Sequence, residues 1–359
     1  MVSLIKHWFQ RYIADTEVAI LWLFLLFIIA VFYCFGRMLA PVLVSIAVAY
    51  LLQWAVNVLE RWRLPHAAAV AIVFSLFLGL VIISILGILP LLWHQLTTLV
   101  NELPNTVGRT QAVLMTLPDR YPSFVTADQM QELFAEFRAG FGHFGQAILS
   151  ASVSSIPSII MVVIYLVLVP MLVYFFLMDQ KRILRWFNRY LPERRRLISQ
   201  VWTEVYGQFG NYVSGKVLEM IIVWAVCYLA FALMGLQYAM LLGALVGVSV
   251  IIPYIGAVVV TVPVVVIAFL QWGWSPHFAY LLVIYTVILV LDGNVLVPLL
   301  FSEAMSLHPV AIIIAILIFG GLLGFWGVFF AIPLATVVKA VLNAMPAPES
   351  DSKTTKKKK

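Results

Sequence analysis

Apolar positions run along this chain in long blocks, and the few charged residues fall between them. Val18 to Gly36 and Met38 to Leu59 carry no Lys, Arg, Asp or Glu and are separated only by Arg37. A third block, Ala67 to Leu92, follows Glu60, Arg61 and Arg63, and a fourth runs from Ser150 to Met178. Met220 to Leu291 is free of formal charge, as is Ala304 to Val338, and these two stretches hold four further segments. A helix rises about 1.5 Å per residue, so about 20 apolar residues cross the ~30 Å hydrocarbon layer. The pattern predicts an all-α integral membrane protein with about eight hydrophobic segments, two of them broken by Gly and Pro.

Two polar stretches interrupt the blocks. In residues 94–149, Thr126 and Gln129 form a capping box, and Met130, Leu133, Phe134, Phe137, Phe141, Phe144 and Ile148 follow at helical spacing. This predicts an amphipathic helical layer that packs on the membrane body or meets another subunit. Residues 179–216 carry Lys181, Arg182, Arg185, Arg189, Arg194, Arg195, Arg196 and Lys216 against Asp179, Glu193 and Glu204. The positive-inside rule places that stretch in the cytoplasm and the acidic 94–149 layer outside. Counting crossings then puts three spans in residues 1–93 with the N-terminus inside, a fourth at 150–178, and a disordered Lys-rich tail, 341–359, also inside.

Composition narrows the class. With 64% hydrophobic and 11% charged residues, a soluble enzyme is excluded. The net charge of +6 lies beside hydrophobic segments, where anionic headgroups rather than nucleic acid are the natural partner. Arg194, Arg195 and Arg196, next to an apolar stripe from Leu197 to Val213, are expected to hold such headgroups. Cys34 and Cys227 both fall inside spans and read as packing residues. No catalytic triad, nucleotide loop, metal cluster or cofactor motif is evident.

Residues 217–340 form the expected transport core. The segment 238–271 is broken at Pro253, Tyr254 and Gly256 and again at Pro263; 306–340 is broken at Gly320, Gly321, Gly324 and Gly327, with Pro333 beyond. Each is either a re-entrant hairpin or a kinked through-helix. The order Gly256, Pro263 recurs as Gly327, Pro333, and an acid precedes each break, Glu219 and then Asp292, which suggests an inverted repeat. Corresponding broken segments point to a secondary-transporter site, because their exposed backbone groups can bind a polar solute or ion. Asp292, beside Asn294, lies well inside a span, where a charge costs about 2.5–3.5 kcal/mol on insertion scales. It reads as a proton or sodium coupling site or as a structural carboxylate. Glu219, one turn from Lys216, reads as a weaker candidate at the cytoplasmic interface. Gln53 and Asn57 are expected to bond to neighbouring helices.

Several short motifs occur together: Ile252-Pro253-Tyr254-Ile255-Gly256, Asp292-Gly293-Asn294 with Val297-Pro298, Leu307-His308-Pro309, and Gly320-Gly321 followed by Gly324, Gly327 and Ala331-Ile332-Pro333-Leu334-Ala335. In this combination the chain resembles the autoinducer-2 exporter family of bacterial permeases over nearly its whole length, and its PerM-type members most of all. The resemblance implies an eight-segment, homo-oligomeric inner-membrane permease that exports a small polar solute or exchanges sodium for protons. The competing readings are a membrane scaffold that recruits partner proteins and a passive channel.

Overall fold

The structure is a computed structural model and describes residues 16–114, 135, 156–189, 196–253, 255–301 and 307–344. Among these the regular elements are all helical. The amphipathic stripe expected within 126–148 lies outside the described residues, as do Arg194, Arg195, Tyr254 and residues 345–359.

Helix α1 spans Thr16–Arg61 as one piece. The spans expected at 18–36 and 38–59 are therefore a single rod of 46 residues, about 69 Å long. Arg37 is a good helix former, and Gly36 before it keeps a helical backbone. Pro41 is accommodated inside the rod, and the Ser45 hydroxyl donates to its carbonyl at 2.6 Å. The rod ends where Arg63 takes a left-handed backbone conformation with φ 65° just before Pro65. Gln53 donates to Asn57 at 2.8 Å on an exposed face of α1, and among the described residues neither bonds to a neighbouring helix.

Next come α2 (His66–Ile83), a π-helical turn at Ser84–Ile88, and α3 (Leu89–Leu114), so helix continues well past the boundary expected at 93. Exposed Leu76, Leu80, Ile83, Leu86 and Leu89 line this rod as a face for lipid. Helix α4 (Ile156–Met178) meets the short α5 (Gln180–Asn188) at an 81° bend. Helix α6 covers Arg196–Leu233. Beyond it lie α7 (Ala239–Ser249), α8 (Ile255–Trp272) and α9 (Pro276–Leu291). A second π-helical turn, Asp292–Leu296, leads into α10 (Val297–Phe301). The chain ends in α11 (Pro309–Leu323), α12 (Phe325–Phe329) and α13 (Ala331–Ala344), which carries helix a few residues into the tail expected from 341.

Five helices among the described residues are long and apolar enough to cross a membrane, and the bent α4–α5 pair makes a sixth. Ala239–Ser249, Pro309–Leu322 and Ala331–Val341 are apolar but short. The second broken segment thus supplies only short helices, whereas the first pairs the short α7 with α8, which is itself long and apolar enough to cross.

The chain divides into two compact units. One comprises Met1–His66, Leu172–Gly215 and Phe301–Lys359. Within it the Tyr212 hydroxyl donates to the Phe329 carbonyl at 3.1 Å, and Phe209 stacks on Phe330 with centroids 5.9 Å apart. Gly210 lies directly under the Tyr50 ring, where a Cβ would overlap it. The other unit comprises Ala67–Met171 and Lys216–Leu300. Its core is a buried apolar cluster built from Val223, Cys227 and Phe231 of α6, Leu242 and Val246 of α7, Val264, Ile267 and Ala268 of α8, and Phe278, Leu281 and Tyr285 of α9.

Candidate ion and solute site

The first broken segment folds back on itself. Gln271, at the end of α8, accepts from the Gln237 backbone N–H and donates to the Gly235 carbonyl, both at 2.8 Å. The end of α8 is therefore fastened to the residues that enter α7. At the other end, Gly256 opens α8 against the Ser249 carbonyl that closes α7, where a Cβ would overlap that oxygen. Helices α7 and α8 form an antiparallel hairpin with its base at Gly235–Tyr238 and its tip at Val250–Ile255. Of the two readings of this segment, the hairpin is the one the described residues support.

Small residues set the hairpin's position against α6. Gly243 packs on the Tyr228 backbone, and Gly247 packs on Trp224 and the Met220 carbonyl. In this antiparallel register, each step along α7 toward the tip moves down α6 toward its N-terminal half. The tip residues Ile251–Pro253 come level with Met220 and Glu219. Polar contacts with α3 hold the base: Gln95 accepts from the Leu241 N–H at 3.0 Å, and the Tyr238 hydroxyl donates to Glu102 at 2.7 Å.

At the level of the tip lies charge that a membrane interior normally excludes. Lys216 Nζ donates to Glu219 Oε2 at 2.8 Å, and the two residues are 4% and 2% exposed. The pair was expected at an interface; it is instead buried inside the crossing segment Tyr206–Leu233. Its i,i+3 spacing lets one helix satisfy both charges without help from a neighbour. Asp292 interacts electrostatically with Lys216, Glu219 and Cys227, which brings it to the same place from α9. It opens the π-helical turn, and its Oδ1 is buried with no hydrogen-bond partner among the described residues. Such wide turns interrupt the helical ladder and occur frequently at functional sites. Asn294 does not join the charges: its amide donates back to the Val290 carbonyl at 2.9 Å, and the residue is exposed.

The second broken segment belongs to the other unit. Helix α13 packs back along α11 across the break. Gly324 adopts φ 62° and ψ −139°, a conformation that favours glycine, and its N–H caps α11 on the Gly320 carbonyl at 2.8 Å. A Cβ on Gly320 would meet Val328 at 2.8 Å, whereas one on Gly321 would meet open space. Gly327 is buried. Gly320 and Gly324 are thus explained by close packing and backbone conformation; nothing in the local geometry requires glycine at 321. Lys216 is the residue that sequence reasoning missed, because it was counted with the basic loop. Phe209, Tyr212, Val213, Val217 and Met220, at helical spacing, were the available signal that the crossing helix starts earlier.

Lipid-facing helices, a fold-back hairpin and charges buried within crossing segments define a multi-pass α-helical membrane protein with a polar interior site. Residues 22–347 match the family described as AI-2E family transporter, and the chain belongs to that family. It is 42% identical to PerM of Escherichia coli (strain K12), named as a permease, over 96% of this chain and 98% of that protein. It is 25% identical to YueF of Bacillus subtilis (strain 168), named as a transport protein, over 88% and 85% of the two chains. The AI-2 transport protein TqsA of Escherichia coli (strain K12) is 24% identical over 86% of each. These names describe membrane transport rather than catalysis.

Proposed function

We propose that the chain is a secondary transporter of the bacterial inner membrane. It exports a small polar solute of the autoinducer-2 kind, or exchanges a cation such as sodium for protons, by alternating access. Asp292 is the coupling carboxylate, and backbone groups of the hairpin tip at Pro253 and Gly256 line the solute path. The observation that carries this reading is the buried, unpartnered Asp292 Oδ1 in an interrupted helix, electrostatically coupled to a buried ion pair. A carboxylate with spare acceptor capacity inside a membrane is a functional site by default, because a purely structural one would be expected to have its lone pairs satisfied. Movement of a solute of this kind draws support from the relative TqsA, an AI-2 transport protein. The reading places α5, with exposed Lys181, Arg182, Arg185 and Arg189 beside exposed Leu184 and Trp186, in the anionic headgroups of the cytoplasmic face, and it includes a homo-oligomer.

The test is ion flux into proteoliposomes holding the purified full chain. Under an imposed sodium or proton gradient, wild type is expected to show saturable, gradient-driven flux, and Asp292→Asn is expected to abolish it while unfolding near the wild-type temperature. Undiminished coupled flux in Asp292→Asn would remove the carboxylate from this role. Absence of any flux in wild type would favour a scaffold, and unsaturable downhill flux a channel.

A further inference from the structure

Two corners of the chain meet at one depth, and both are basic. Helix α1 ends at Arg61, and α2 begins at His66, just after the left-handed Arg63. Helix α4 ends at Met178 and turns through 81° into α5. The His66 ring joins the two corners: its Nδ1 bonds Glu60 Oε1 at 2.6 Å, and its Nε2 lies 3.4 Å from the Met178 carbonyl oxygen. That oxygen is available because the last carbonyls of a helix have no partner within it. Past the bend, the Asp179 carbonyl accepts from the Arg182 and Ile183 N–H groups and starts α5 in its new direction. Both corners belong to the same compact unit.

Around this joint stand four exposed cations, Arg61, Arg63, Lys181 and Arg182, none with an ion-pair partner among the described residues. Of the acids beside them, Glu60 is engaged by His66, and Asp179 is partly buried at the bend. Trp62 and Trp186, 75% and 57% exposed, flank the cations, and indole rings favour the headgroup level of a bilayer. The 81° bend turns α5 out of the direction of its span and toward the membrane plane. Its Lys and Arg side chains fall on one side of the helix, opposite Ile183 and Leu184. We infer that the two corners form one site for the headgroup of an anionic phospholipid, with preference for a headgroup that carries two phosphates. Arg61 and Arg63 hold one phosphate, and Lys181 and Arg182 hold the other, through charge-assisted hydrogen bonds. The tryptophans and Leu184 lie along the acyl chains, which commits the site to a lipid rather than to phosphate in solution. This deepens the placement of α5 among headgroups and rests on the inner-membrane reading for the source of the lipid; the α1–α2 corner is the added half.

Equilibrium binding of radiolabelled lipid to the detergent-purified full chain tests the inference without any transport step. Wild type is expected to bind one cardiolipin per chain, about tenfold more tightly than phosphatidylglycerol, and to ignore phosphatidylethanolamine. Arg61→Gln with Arg63→Gln, and separately Lys181→Gln with Arg182→Gln, are each expected to lower cardiolipin affinity about tenfold, to that of phosphatidylglycerol. All four positions are exposed, so both variants should unfold near the wild-type temperature. Two independent surfaces would instead bind two lipids per chain and lose one of them with each pair at unchanged affinity, which overturns the inference. Lys356→Gln with Lys357→Gln removes the same charge from the C-terminal lysine run and is expected to leave binding unchanged; an equal loss there would reduce the site to general attraction and also overturn it. Displacement of cardiolipin by millimolar inorganic phosphate would show a free-phosphate site and overturn it likewise. One cardiolipin per chain without coupled ion flux would refute the transport reading and leave the lipid site standing, whereas coupled flux with no difference among the lipids would do the reverse.

Discussion

Replacing Gly256 by Ala is the sharpest perturbation of the hairpin, because the obstacle is backbone. A Cβ there overlaps the Ser249 carbonyl oxygen, which also accepts from the Ile252 N–H at 3.0 Å and so cannot swing away without loosening the tip. The α7–α8 crossing would have to open by roughly an ångström, and close-packed interiors transmit rather than absorb such a shift. Overpacking of this kind costs about 1–3 kcal/mol, and the upper end applies when the obstacle is main chain. With an unfolding entropy of about 2.1 cal/mol/K per residue, 3 kcal/mol lowers the midpoint of a chain of this length by ~4 °C. Gly79→Ala is the control, since a Cβ at this glycine inside α2 meets nothing within 4 Å. It removes the glycine penalty in a helix, about 1 kcal/mol, and should leave the midpoint unchanged or slightly higher. Tryptophan-fluorescence unfolding of the purified protein in one detergent reads both. Equal midpoints for Gly256→Ala and Gly79→Ala would show that the tip is not packed as described.

Two further outcomes concern the hairpin base. Gln271→Ala removes both bonds that fasten α8 to the entry of α7, each worth about 0.5–1.5 kcal/mol and here toward the low end because the site is exposed. Amide exchange at Gly235–Tyr238 should quicken several-fold while exchange in the α6–α9 core stays put; uniform behaviour would refute the clamp. The Tyr238 hydroxyl is pushed up to about 12, first by burial and then by its bond to, and charge repulsion from, Glu102. A folded value above the ordinary 10.0 means that the bond's contribution is intact below pH 10 and is lost as pH rises through about 12. The tyrosinate difference absorbance between wild type and Tyr238→Phe should therefore titrate near 12; a midpoint near 10 would mean the hydroxyl is not held.

Much of this could be read from the chain because the bilayer enforces period and length. The helical class and the two breaks followed from apolar blocks and from Gly and Pro placement, and Gly256 stands where the spacing placed a turn. What escaped was the sign of small local choices. Arg37 looked like a boundary, yet a lone arginine has neither the φ preference nor the missing donor that would end a helix, so α1 runs through it. Asn294 looked like a partner for Asp292, yet a short amide in a widened helical turn can satisfy itself on the preceding carbonyl, as it does at Val290.

Lys216 shows the same limit from the other side. Counting charges assigned it to a loop because charge in a membrane protein usually sets orientation, but an i,i+3 partner lets an ammonium enter a crossing helix already neutralised. That arrangement also separates two kinds of contact. The Lys216–Glu219 bond is internal to α6 and survives any movement that leaves α6 straight, whereas the relation of either residue to Asp292 spans two helices and depends on how α9 lies against α6. The Phe231–Tyr285 ring contact, 5.9 Å between centroids, and the shared apolar cluster hold that second relation fixed. The hairpin is tied to the same α6 by Gly243 and Gly247. Charges and hairpin tip therefore belong to one packed body built from α6, α7, α8 and α9.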